Sequence, residues 1–314
     1  MSVTRPAIPA RLRRRLAWTA ATVLISLGGA GLSTAADRPA TDASRPELSA
    51  HSDLLAQPWL ETLSSQAHAV EGKVDALSQN GRDLLGMLEG LDPARIGDAL
   101  AAGDRSSTDL ELAASALSDL RYQGPSELDE GRLSEANRGL LSAIDKVLAA
   151  SLPLPITWQT IGGNTRQVTR LIVALLTHDG LVFRATTAGR QQDWDSALTL
   201  LGEGGASLNE ARAVRDQLAR VGDVSTLNDL ISRYADYDAA LTNLYTALRD
   251  GAALDSPTVR ALSDAVAQAE AALPADSNAL KVVVADASGG AIAEGVVDLE
   301  EARGKVSAAV ADLP

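Results

Sequence analysis

Between Leu60 and Leu91 the chain carries a stripe that a helix satisfies and a strand does not. Leu60, Leu63, Ala67, Val70, Val74, Leu77, Gly81, Leu84, Leu88 and Leu91 follow one another at alternating steps of three and four, all apolar except Gly81. In the gaps only Ala69, Ala76, Leu85 and Met87 are apolar. Strand side chains alternate with period two, whereas this spacing lays every member along one narrow seam of a 3.6-residue helix. The spacing predicts a helix of about 30 residues packed against a partner in coiled-coil fashion. Gly72, Gly81, Gly86 and Gly90 each cost about 1 kcal/mol relative to alanine, so such a helix depends on that partner.

The rest of the chain repeats the pattern in shorter pieces. Asp92-Pro93 predicts a short helix to about Ala102, and Ser106-Ser107 the start of another carrying Leu110, Ala113, Ala116, Leu117 and Leu120. A further helix runs from Leu133 to about Leu152. Beyond it, helices are expected over about Thr165–Gly189, Asp193–Val221 and Ser225–Arg249, then after the Ser256-Pro257 cap, and last over Glu294–Asp312. Lys281-Val282-Val283-Val284 has strand propensity alone but also fits a helical face. Aromatics make up only 3% of residues, which favours helix on helix over sheet. The expected class is all-α: antiparallel helical bundles with one long coiled-coil-like helix, preceded by an export signal or anchor.

The N-terminus reads as an address. Arg11, Arg13, Arg14 and Arg15 precede an uncharged run from Leu16 to Ala36, with small residues at Ser33-Thr34-Ala35-Ala36 before Asp37. Cleavage there would release the chain; left intact, residues 16–36 would anchor it. Arg13-Arg14 also resembles a twin-arginine export signal. Nothing later in the chain reads as a membrane span; the best candidate, Leu171–Thr177, is bounded by Arg170 and His178-Asp179 and is too short. The expected division is 1–36 signal peptide or anchor, 37–58 linker, 59–152 N-terminal helical region, 153–164 Pro/Gly linker and 165–314 C-terminal bundle. Pro39, Pro46 and Pro58 suggest the first linker; Pro153, Pro155 and Gly162-Gly163 suggest the second.

The chemistry is mostly exclusion. There is no cysteine, so disulfides and thiolate sites are absent. The first 36 residues hold five arginines and no acid; removing those five from 28 bases leaves 23 against 41 acids, a net charge of −18. A body that acidic repels phosphate backbones, so no nucleic-acid partner is expected. No phosphate-binding glycine loop, His-Glu-x-x-His or Gly-x-Ser-x-Gly occurs. Gly202–Gly205 and Gly289-Gly290 read as close helix approach or a break. His68-Ala69-Val70-Glu71 resembles, over those four residues alone, the His-x-x-Glu of the imelysin-like envelope proteins; the register places His68 outward with Glu61 and Asp75, on a solvated face. His178-Asp179 interrupts an apolar helix, with Trp158, Trp194, Tyr234 and Tyr237 available to line a cavity. Asp193, Asp195, Asp236 and Asp238 read as caps and exposed faces.

No catalytic, cofactor-binding or metal-binding residue is assigned, and no cofactor is expected. The expected function is a non-catalytic, extracytoplasmic interaction module of a bacterial-type cell envelope, secreted or anchored, binding a protein partner or itself through helix faces. The membrane would be touched only through residues 16–36 if they stay. The Leu60–Leu91 seam is either that surface or internal core. The alternative is a ligand-binding or sensory bundle with a pocket among helices 165–249, and a metal-dependent hydrolase ranks last.

Overall fold

The structure is a computed structural model describing residues 46–88, 90–125, 130–220, 223–274, 282 and 290–313. Residues 1–36, read above as an export signal or anchor, lie outside the described residues, as do Lys281, Val283 and Val284. Among the described residues the regular elements are all helical: α1 (Pro46–Leu88), α2 (Pro93–Tyr122), a 3-10 turn (Glu130–Arg132), α3 (Glu135–Ser151), α4 (Leu154–Arg190), α5 (Trp194–Leu218), α6 (Ser225–Arg249), α7 (Pro257–Ala272) and α8 (Ala291–Val310). Local sequence starts several of them. Asp92, Ser134, Asp193 and Ser256 each accept hydrogen bonds from first-turn amides, and proline follows directly at Pro93 and Pro257.

The Leu60–Leu91 seam is interior. Its residues from Leu60 to Leu88 are buried, with Leu63, Ala67, Val70, Leu77 and Leu84 fully covered. Helices α2, α3 and α8 of the same chain do the covering. Gly81 marks the place where α8 crosses, since a Cβ there would meet Leu299 at 3.2 Å and Val296 at 3.3 Å. Glu300 of α8 then bonds Ser78 and Arg82 of α1. Truncating Leu77 to alanine is expected to cost about 2–5 kcal/mol in denaturant unfolding, against about 0.5 kcal/mol or less for the exposed Leu112→Ala.

Three expected boundaries dissolve. Helix α1 begins at Pro46 and passes through Pro58, where the 37–58 reading placed a linker. Proline removes one intrahelical bond there, but Ala56 is fully buried, Trp59 donates to the Leu120 carbonyl at 2.8 Å, and Asp53 accepts the Ser134 amide at 3.0 Å. Helix α2 runs unbroken across Ser106-Ser107; Ser107 is buried and Asn80 donates to Ser106 at 2.8 Å. Finally, the 153–164 linker shrinks to Leu152-Pro153. Pro155 sits in the first turn of α4, where its missing amide costs nothing, and Gly162-Gly163 lies within that helix.

The packing also departs from a division into 59–152 and 165–314. Helix α8 returns to α1, α3 and α4, closing the N-terminal bundle with the end of the chain. Helix α4 serves both bundles: Trp158 to Leu175 belong to the larger core, while Val182 and Ala185 join Ala197, Leu201, Tyr237, Leu241 and Tyr245 in a second. Across the α3–α4 joint, Glu135–Arg190 forms a run long and apolar enough to cross a membrane by length and composition, where the sequence had suggested no later span. More than half of its most apolar window is buried, as befits the central helix of a bundle.

Candidate functional site

The two cores meet at a polar layer built around His178. On α4 this residue shares the inward face with Leu175 and Val182, one turn either side, and is 1% exposed. Helix α6 supplies Tyr234 and Asp238, four residues apart and therefore on one face. Nε2 of His178 stands 2.9 Å from Asp238 Oδ2, and Nδ1 stands 3.3 Å from Asp179 Oδ1. The Tyr234 ring packs on the imidazole with centroids 4.8 Å apart, and its hydroxyl donates to Asp179 Oδ2 at 3.4 Å. Gly204 of α5 faces the layer, where an added Cβ would stand 3.7 Å from His178 Cδ2, an ordinary van der Waals distance.

The electrostatics make the imidazole a cation. Burial alone would pull its proton affinity down, but hydrogen bonds to Asp179 and Asp238, reinforced by their charges, raise the pKa from 6.5 to about 9. Both ring nitrogens then donate. Burial and the Asp179 carboxylate push the Tyr234 hydroxyl well above its ordinary value. Asp238 Oδ1 is buried without a hydrogen-bond partner, so this carboxylate is held in place by the charge opposite rather than by full solvation. An imidazolium covered on all sides is a poor general base at neutral pH. The arrangement is suited to fixing the register of α4 against α6, since an apolar slide of one helix would strand a buried charge.

The other residues singled out in the sequence are dispersed. Trp158 is buried against Gly103 and donates to Asp104 at 2.8 Å; Trp194 packs on Tyr245 at 5.7 Å; Tyr237 lies in the second core. Of the four acids read as caps or exposed faces, Asp193 caps α5 and Asp195 and Asp236 are exposed, but Asp238 is drawn into the His178 layer. Its signal was the Tyr234/Asp238 spacing on an otherwise inward face. His68 is half exposed, 3.7 Å from Glu71, and no three His, Asp or Glu residues converge as metal ligands among the described residues.

Two grooves are described, and neither touches helices 165–249. One, of about 730 Å³, runs between α3, the start of α4 and α8, floored by alanines and edged by Lys146, Asp298, Glu301 and Lys305. The other, of about 640 Å³, lies on α1 and α2 around Asn80, Asp104 and Asp109. No family model, curated protein or solved structure matches this chain.

Proposed function

We propose that this chain is an exported, non-catalytic helical bundle of the cell envelope that acts through contact between helix faces. The observation that carries the reading is the outer face of α4. Val173, Leu176 and Phe183 are 46%, 45% and 69% exposed there, although the fold has a large core available to take them. The polar groups capable of acid–base work are meanwhile spent on one another around His178. The basic-then-uncharged N-terminus supports export, and the long buried α1 seam supports a coiled-coil-like core.

In-cell crosslinking followed by mass spectrometry tests this. Crosslinks from the exposed side of α4 to another chain, on a product recovered outside the cytosol, are expected. A protein found in the cytosol, or one giving intramolecular links only, would overturn the reading. The alanine-floored groove of about 730 Å³ favours ligand binding as a second function, and a specific rise in melting temperature with a small envelope metabolite would promote it.

A further inference from the structure

The His178 layer divides the molecule into two cores of unequal strength. On one side the second core holds seven buried residues, two of them alanine, drawn from the end of α4, the start of α5 and the later half of α6. Helix α7 covers it with Val266 and Ala269, which are themselves only partly buried. On the other side α4, α5 and α6 enter the larger core through Leu175, Leu208 and Ile231, and α8 braces that core from the end of the chain. So small a core offsets little of the entropy lost in ordering its helices, which makes this end the first to open.

The helices are also weakest at the layer itself. Gly180 follows His178 on α4, and Gly202, Gly204 and Gly205 cross the same level on α5. Gly204 faces His178, but at Gly180, Gly202 and Gly205 an added Cβ would meet nothing within 4 Å. Packing therefore does not require those three, and each weakens its helix by about 1 kcal/mol relative to alanine. The layer is imperfectly satisfied as well, since Asp238 Oδ1 is buried without a hydrogen-bond partner and would gain one by meeting water.

We infer that the second core is a proton-locked unit, which opens about the His178 layer while the larger core stays folded. The lock is the imidazolium between Asp179 and Asp238, with the Tyr234 ring on its face. Those two carboxylates are the charges that act on it; Tyr234 of α6 stays uncharged at neutral pH, and α5 presents Gly204. Closed, the layer holds the His178 proton up to about 9; opened to water, the imidazole returns to its ordinary 6.5. Opening is therefore hardest below pH 6.5 and becomes about tenfold easier with each pH unit up to 9, about 300-fold in all. The open form uncovers Tyr237, Leu241 and Tyr245.

Thiol labelling of the full chain tests the inference, because the chain has no cysteine and each variant reports one site. Ala197→Cys lies in the second core and Ala67→Cys in the larger one, at positions fully buried in the parent. After division by the rate of the denatured chain at the same pH, Ala197→Cys is expected to label at least about tenfold faster than Ala67→Cys. Its labelling should rise by about 300-fold between pH 6.5 and 9, and adding His178→Gln should flatten that rise. Gly202→Ala with Gly205→Ala should slow it by about tenfold or more. Hydrogen exchange of the unsubstituted chain repeats the comparison where a cysteine disturbs packing: protection over 194–201 and 238–249 should lie below that over 60–88. Equal opening in the two cores, a corrected rate at Ala197→Cys that ignores pH, or indifference to the two glycine changes would each overturn the inference. None of these results bears on the exposed side of α4, whose crosslinks in cells test the interaction reading separately.

Discussion

Replacing Gly103 with alanine is expected to destabilise the protein by about 2–3 kcal/mol in denaturant unfolding, although the same change ordinarily stabilises a helix by about 1 kcal/mol. A Cβ at this position would stand 1.8 Å from Trp158 Cζ2 and 2.2 Å from Cη2. The indole cannot swing away cheaply, because it is 1% exposed and its Nε1 donates to Asp104 at 2.8 Å. Either the ring moves, losing that bond and its packing, or α2 and α4 separate. Gly97 lies two turns earlier on α2 with nothing near its would-be Cβ, and Gly97→Ala should raise stability by up to about 1 kcal/mol. Opposite signs for one chemical change on one helix are the test; equal signs would show that Trp158 does not pack as described.

Asp238→Ala should cost about 3–5 kcal/mol at neutral pH, the penalty for leaving a buried cation without its closest carboxylate. Asp238→Asn, which keeps an acceptor for Nε2–H, should lose less. The pH dependence follows from the direction of the His178 shift. Unfolded, the imidazole releases its proton near 6.5; folded, it keeps it to about 9. Below 6.5 both states are protonated and the stabilisation is fully present. Between those values the folded chain holds a proton the unfolded chain has lost, so stability falls as pH rises, by on the order of 3 kcal/mol in total. The cost of Asp238→Ala should shrink over the same interval. Titration of the imidazole by NMR, alongside unfolding at each pH, checks both; a His178 pKa at or below 6.5 would remove the basis of this prediction.

Much of the helical layout was legible because its signals are local. Asp92, Ser134, Asp193 and Ser256 cap their helices through their own side chains, needing nothing distant. The boundaries that failed involve residues whose local preference is weak beside burial. Pro58, Ser107 and Gly162 each disfavour a helix interior, yet Ala56 and Leu60 pin the first, Ser107 is itself buried, and Gly162 lies under the Arg166 guanidinium. Packing worth several kcal/mol overrides a preference of about one. The His178 site divides the same way. A histidine on an apolar helical face was visible at once, but Asp238 is 60 positions away and resembled any other helix acid.

What the sequence by itself determined is periodicity: a 3.6-residue repeat compels helices, and a narrow leucine seam compels a covering. It left open which surface does the covering, because apolar contact is non-directional and any leucine ridge can satisfy another. Tertiary structure decided that α8 lies over Gly81, that α4 belongs to both bundles, and that Val173, Leu176 and Phe183 stay exposed. Those outcomes depend on the chain's return path and on where glycine permits close approach, and both emerge only when distant segments meet.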